Sequence, residues 1–166
     1  MSETNQAYKY PVADDHLLPR NTRRSLPIAL LRAREAVMSH FRPMLVKYDV
    51  TEQQWRVIRV LAEADVLDAS EVAEKTFILA PSLTRMIKSL EERGFITRHK
   101  DQDDGRRVLL KIAPAGLEII NTVTPDSCAI YDHIEARYGK ERVEHLIDLL
   151  NDMALLKSDE PFIAEE

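Results

Sequence analysis

Two groups of side chains in this 166-residue chain are of the types that recognise a polyanion. One lies in PSLTRMIKSLEER, Pro81 to Arg93. At helical spacing Leu83, Met86, Ile87 and Leu90 share one face, while Ser82, Thr84, Arg85, Lys88 and Ser89 fall on the other. Hydroxyl, guanidinium and ammonium donors are the groups that bond phosphate oxygens and base edges. The second group lies in DQDDGRRVLLKI, Asp101 to Ile112, where Arg106 and Arg107 follow three acids and a glycine. Apolar residues flank this turn, GFI before and VLLKI after, so the arginines are expected at a hairpin tip. Asp103 or Asp104 can bond turn N–H groups and hold an arginine in place. The plainer reading of the same residues is a charged hairpin tip whose charges serve solubility.

The charge distribution agrees with the first reading. The chain carries a net charge of −5. From Ala80 to Lys111, however, eight bases face five acids, which leaves 15 bases and 23 acids elsewhere. An acidic body with one basic segment is suited to meeting a polyanion through that segment.

Composition narrows the rest. Gly is scarce at 4, aromatics make up 6% and aliphatic residues are plentiful, which favours a mostly helical fold. The single cysteine, Cys128, excludes an internal disulfide framework and a multi-Cys metal site, and no metal or cofactor is expected. As a lone thiol it is read as structural rather than redox-sensing. MSETNQAYKYPVADDHLLPR lacks the apolar core of a signal peptide, and no run approaches the ~20 apolar residues of a membrane span. A cytoplasmic protein is expected. HExxH, Gly-rich phosphate-loop and nucleophile-elbow patterns are missing, so an enzyme is not expected.

The elements that must position the basic groups follow from periodicity and caps. Residues 1–24 read as a flexible arm. A first helix spans about 25–48, with Leu30, Val37, Met38, Phe41 and Leu45 on one stripe. Pro43 should kink it or end it early. Thr51 with Gln54, and Asp68 with Glu71, have capping-box spacing and start two more helices, separated by a turn at ADVLD. Pro81 suits the first turn of the next helix and Gly94 its end. FITRHK and RVLLKI form the hairpin, and Pro114 opens a helix that passes Pro125 toward Tyr138. A last helix carries Val143, Leu146, Ile147, Leu150, Met153 and Leu156 in register, and 159–166 is a loose tail. Helix, short helix, capped helix and hairpin make a winged helix-turn-helix over 49–113. Helices over 25–48 and 114–158 flank it. The 81–93 helix is then the one that enters the major groove.

LTRMIKSLEERGFITRHKDQDDGRRVLLKIAPAG resembles the recognition helix and wing of the MarR family of bacterial transcription regulators. Asp104 and Arg106 match the family's Asp-x-Arg turn, and Ile112, Ala113 and Gly116 match its Leu-Thr-x-x-Gly. Ala113 departs from the usual Thr, a good helix cap, at a cost of about 1 kcal/mol. AREA, FRP and TEQQWR are similar to segments of the repressors of homoprotocatechuate (3,4-dihydroxyphenylacetate) degradation. The resemblance implies a homodimer, with 25–48 and 114–158 as its dimerisation helices, on a pseudo-palindromic operator and released by a small aromatic acid. It also implies ligand roles on the first helix for Arg34 and His40. Arg34 lies in the apolar stripe, where a charge needs a partner; a ligand carboxylate, an acid across the dimer or water would each serve. Met38, Phe41 and Trp55 are candidates for ring contacts, with a core role for Trp55 as the alternative. The rival reading is a winged helix that binds protein and no DNA; it requires exposed apolar residues on the 81–93 helix.

Overall fold

The computed structural model describes residues 25–101 and 107–156. Its helices are α1 Leu26–Lys47, α2 Glu52–Ala62, α3 Ala69–Thr76, α4 Ala80–Glu92, α5 Pro114–Tyr138 and α6 Lys140–Ala154. Three short strands complete it: β1 Leu67–Asp68, β2 Ile96–Lys100 and β3 Val108–Ile112. The mostly helical winged helix-turn-helix is thus present. The expected arm and tail lie outside the described residues.

The chain divides into two units, Met1–Ser39 and His40–Glu166. The described part of the first is the opening of α1. Leu26, Ile28, Leu30, Leu31 and Val37 are all exposed there. The second unit contains the core, built from Val57, Ile58 and Leu61 of α2, Val72 of α3, the inner face of α4, and Ile96 and Leu110 of the sheet. Amphipathic periodicity placed these side chains on one face of each helix, and burying them together is the main driving force for this unit.

Both capping boxes form. The Thr51 hydroxyl accepts from the Gln54 N–H, and the Gln54 side chain accepts from the Thr51 N–H. Asp68 Oδ1 accepts from the Ser70 and Glu71 N–H groups at 2.9 Å, while Glu71 accepts from the Asp68 N–H at 2.7 Å. Neither interior proline ends its helix: α1 continues past Pro43 to Lys47, and α5 passes Pro125. Both prolines are exposed, so each missing N–H falls where water can reach the vacated carbonyl. Of the two outcomes expected at Pro43, an early end does not occur, and α1 closes at Lys47, within one residue of the expected span 25–48.

The ADVLD segment, expected as a turn, also contributes a strand. β1 pairs antiparallel with β3, Leu67 opposite Leu110, giving the sheet order β1-β3-β2. The wing strands pair from Ile96 opposite Ile112 to Lys100 opposite Val108. Ala113 makes no side-chain cap to α5, but its N–H donates to the Phe95 carbonyl at 2.9 Å, and Pro114 has no N–H that needs an acceptor. Three residues on, a Cβ on Gly116 would lie 2.2 Å from that same carbonyl oxygen, so only glycine lets α5 pack onto the base of the wing.

Candidate nucleic-acid interface

α4 offers solvent a polar face over a buried one. Leu83, Met86, Ile87 and Leu90 are 9% exposed or less. Thr84, Arg85 and Lys88 are exposed and Ser82 is half-buried. The Thr84 hydroxyl donates to the Ala80 carbonyl at 3.1 Å, and Lys88 lies 3.8 Å from Glu92. Ser89 is half-buried and turned toward α2, where it accepts from the Gln54 amide at 3.4 Å. No side chain caps the start of α4; Pro81 has no N–H, and the Ser82 and Leu83 N–H groups donate to the Leu79 carbonyl at 2.9 and 3.0 Å.

The wing sorts its cations. Arg98 pairs with Glu91 at 3.3 Å, tying β2 to α4. Arg93 reaches Asp49 at 3.3 Å and covers the Phe95 ring. Arg107 lies where the sequence places it, at the tip end of the wing strands, its carbonyl accepting from the Asp101 N–H at 3.1 Å, but its side chain turns to an acid of the helix-turn-helix. Its Nη2 and Nε donate to Asp68 Oδ2 at 2.6 and 3.2 Å, with Asp101 at 3.9 Å. Arg106 falls outside the described residues. Among the described residues of the basic segment, Arg85, Lys100 and Lys111 have no acid partner.

Asp68 was legible as a helix cap but not as the wing's anchor. One oxygen caps α3 and the other holds Arg107, so a single carboxylate joins the helix-turn-helix to the wing. The Glu71 N–H, then the Arg107 side chain, keep its pKa below the ordinary value of 3.8. The same contact raises the pKa of Arg107. A second anchor links the end of α1 to α5. Asp126 Oδ2 accepts from Lys47 Nζ at 2.7 Å and from the Tyr48 hydroxyl at 2.9 Å. Lys47, then Tyr48, lower the Asp126 pKa, and Asp126 chiefly raises that of Lys47.

The residues read as ligand contacts are shared between the two units. Arg34 and Met38 belong to the first unit, where Arg34 is exposed and lies 3.9 Å from Glu35. In the second unit Phe41 is buried and meets the Tyr131 ring edge-on, with centroids 5.2 Å apart. His40 is exposed, its ring 5.8 Å from that of His133. Trp55 is half-buried against the winged-helix core. Sequence reasoning missed Tyr131 and His133, because nothing local marks which residues of a long helix will face another.

A helix-turn-helix whose second helix presents donors outward, flanked by a β-hairpin, is the architecture of a winged-helix DNA-binding protein. Known proteins agree. The MarR family model matches residues 48–107. The HTH-type transcriptional regulator FarR of Neisseria gonorrhoeae is 41% identical over 133 residues, covering 80% of this chain and 91% of that one. The homoprotocatechuate degradative operon repressor of Escherichia coli is 38% identical over 132 residues, covering 80% and 89%. The crystal structure of NadR in complex with 4-hydroxyphenylacetate matches with a TM-score of 0.73 at 41% identity, over 80% of this chain and 94% of that one. The chain belongs to the MarR family of transcriptional regulators.

Proposed function

We propose that this protein is a dimeric, sequence-specific repressor of an aromatic-acid catabolic operon, released from DNA by a small phenolic acid. The observation that carries the DNA-binding part is the outward row of Ser82, Thr84, Arg85 and Lys88 on α4, above a fully apolar inner face. Arg85 is assigned to base edges, the hydroxyls to phosphates or bases, and Arg106 to phosphate or the adjacent minor groove. Ser89 is retained as a flanking contact. Arg107 is reassigned to holding the wing through Asp68, and Lys100 and Lys111 are added as phosphate contacts. The α4 helix itself shows no apolar outer face, which disfavours the protein-binding alternative.

A second copy of the chain would explain α6. None of its residues is buried, although Leu146, Ile147, Leu149 and Leu150 are 37–49% exposed on a 15-residue helix. The exposed apolar residues at the start of α1 have the same need. A two-fold dimer would read half-sites about one helical turn apart.

The effector class is carried by relatives: one is named for homoprotocatechuate degradation and another was crystallised with 4-hydroxyphenylacetate. Phe41 with Tyr131, and His40 with His133, supply the ring edges and hydrogen-bonding groups that a phenolic acid needs. Trp55 is kept as a ring contact secondary to its core role. On sequence alone, Arg34 is proposed as the carboxylate partner and Met38 as an apolar wall. We place the protein in the cytoplasm and assign it no catalytic role.

The test is titration onto a duplex from upstream of its own gene, at fixed salt, with and without 3,4-dihydroxyphenylacetate. Specific binding weakened by the acid is expected. Binding indifferent to the acid would remove the effector assignment, and no preference over random DNA would remove the repressor reading.

A further inference from the structure

The turn between α3 and α4 spends conformational energy on a residue that packing does not explain. α3 ends in a Schellman motif. The Ile78 N–H donates to the Ala73 carbonyl at 3.2 Å, and the Phe77 N–H donates to the Glu74 carbonyl at 3.3 Å. Ile78 is 5% exposed and packs inward, closing the motif's apolar contact. The residue between the two bonds must be left-handed, a position that glycine or asparagine fills at least cost. Phe77 fills it instead, at φ 53° and ψ 40°, with 86% of its surface exposed. Two residues later Leu79, the N-cap of α4, is 79% exposed. A bulky side chain with positive φ is a genuine outlier. Such outliers persist where the side chain has a role outside the fold.

We propose that Phe77 and Leu79 form an apolar reading edge of the DNA interface, contacting thymine 5-methyl groups in the major groove beside the start of α4. This rests on the DNA-binding reading above. Three observations select DNA as the occupant. The pair borders the N-terminus of α4, the positive end of that helix dipole, where no acidic side chain stands in the first turn. It is continuous with Ser82 and Arg85 on the outward face of that helix, and Lys75, also exposed, precedes it. The thymine methyl is the apolar group that the major groove displays. Specificity at A·T pairs would then come partly from this turn rather than from α4 donors alone.

The experiment compares wild type, Phe77→Gly and Leu79→Ala on a footprinted duplex from upstream of the protein's own gene, at fixed salt. A second set of duplexes carries deoxyuridine in place of individual half-site thymines, which deletes one methyl and leaves every hydrogen-bonding group. Wild type should lose about fourfold in affinity per contacted methyl, the equivalent of one buried methyl or methylene group. Leu79→Ala should bind the thymine duplex more weakly and lose part of its sensitivity to deoxyuridine. Phe77→Gly should melt at a higher temperature than wild type and yet bind DNA more weakly, a combination that a structural role alone does not produce. The proposal is overturned if wild type ignores deoxyuridine at every thymine, or if both variants bind DNA as tightly as wild type. The latter result would hand the patch to a protein partner. Failure of wild type to prefer the footprinted duplex over random DNA would instead remove the underlying reading, and the inference with it.

Discussion

Substituting Gly116 by alanine tests how rigidly α5 is joined to the wing. The new Cβ would lie 2.2 Å from the Phe95 carbonyl oxygen and 2.5 Å from Ile112 Cδ1, whereas ordinary contact begins at 3.4 Å. The Ile112 side chain can turn aside. The Phe95 carbonyl is held by the Ala113 N–H at 2.9 Å, so relief requires the backbone to move by more than an ångström. Overpacking of this kind costs about 1–3 kcal/mol, and weakening the hydrogen bond adds about 1 kcal/mol. Alanine's better helix propensity returns up to about 1 kcal/mol. The net expectation is a loss of about 2 kcal/mol, or a Tm lowered by about 4–8 °C for a chain of this size. Thermal melting followed by circular dichroism reads it directly. Gly94→Ala is the control: it meets nothing within 4 Å and carries only the cost of φ +70°, about 1 kcal/mol. A Gly116→Ala protein that melts at or above the wild-type temperature, or less than Gly94→Ala below it, would refute the steric argument.

Arg85→Ala should weaken operator binding by about 1–3 kcal/mol and relax preference at one base position, read by titration against a set of single-substituted duplexes. Arg106→Ala should lower the salt slope of binding by about one phosphate contact, measured from log K against log salt concentration. Arg107→Ala should leave that slope nearly unchanged and lower Tm, since its guanidinium is occupied by Asp68; a full unit lost from the slope would restore it to the DNA contacts. For Asp68 the folded-state pKa lies below 3.8, so its stabilising contribution is complete above that value and disappears as pH falls through the folded value. Asp68→Asn keeps the cap acceptor and removes the charge, so it should flatten the acid limb of a Tm–pH profile below about pH 4. An unchanged acid limb would assign that titration to other carboxylates.

Local rules made much of the architecture readable. Capping boxes at Thr51 and Asp68, Gly94 after α4 and the period of Leu83, Met86, Ile87 and Leu90 all depend on contacts within a few residues, and all formed. The outward donors of α4 followed from the same periodicity. Pro43 left two outcomes open in the sequence, because whether a proline ends a helix depends on where the vacated carbonyl points. The Phe77 conformation was equally hidden: nothing in FILA announces a left-handed phenylalanine, which is set by Ile78 being drawn into the core.

What the sequence determined by itself was therefore the class of protein, its helix boundaries and the chemistry available on the recognition helix. Tertiary structure decided which of those groups are free to act. Arg107 and Arg106 are neighbours of one type, yet Arg107 is claimed by an aspartate 39 positions earlier. β1 exists because a two-residue segment lies alongside β3, too short for any periodicity to show. Arg34 shares its stripe with apolar residues in the sequence, yet within one chain that stretch of α1 is open to solvent. For Arg107 and for β1 the deciding partner is distant along the chain, and pairing over such distances is settled by the energy of the whole fold rather than by the spacing of neighbours.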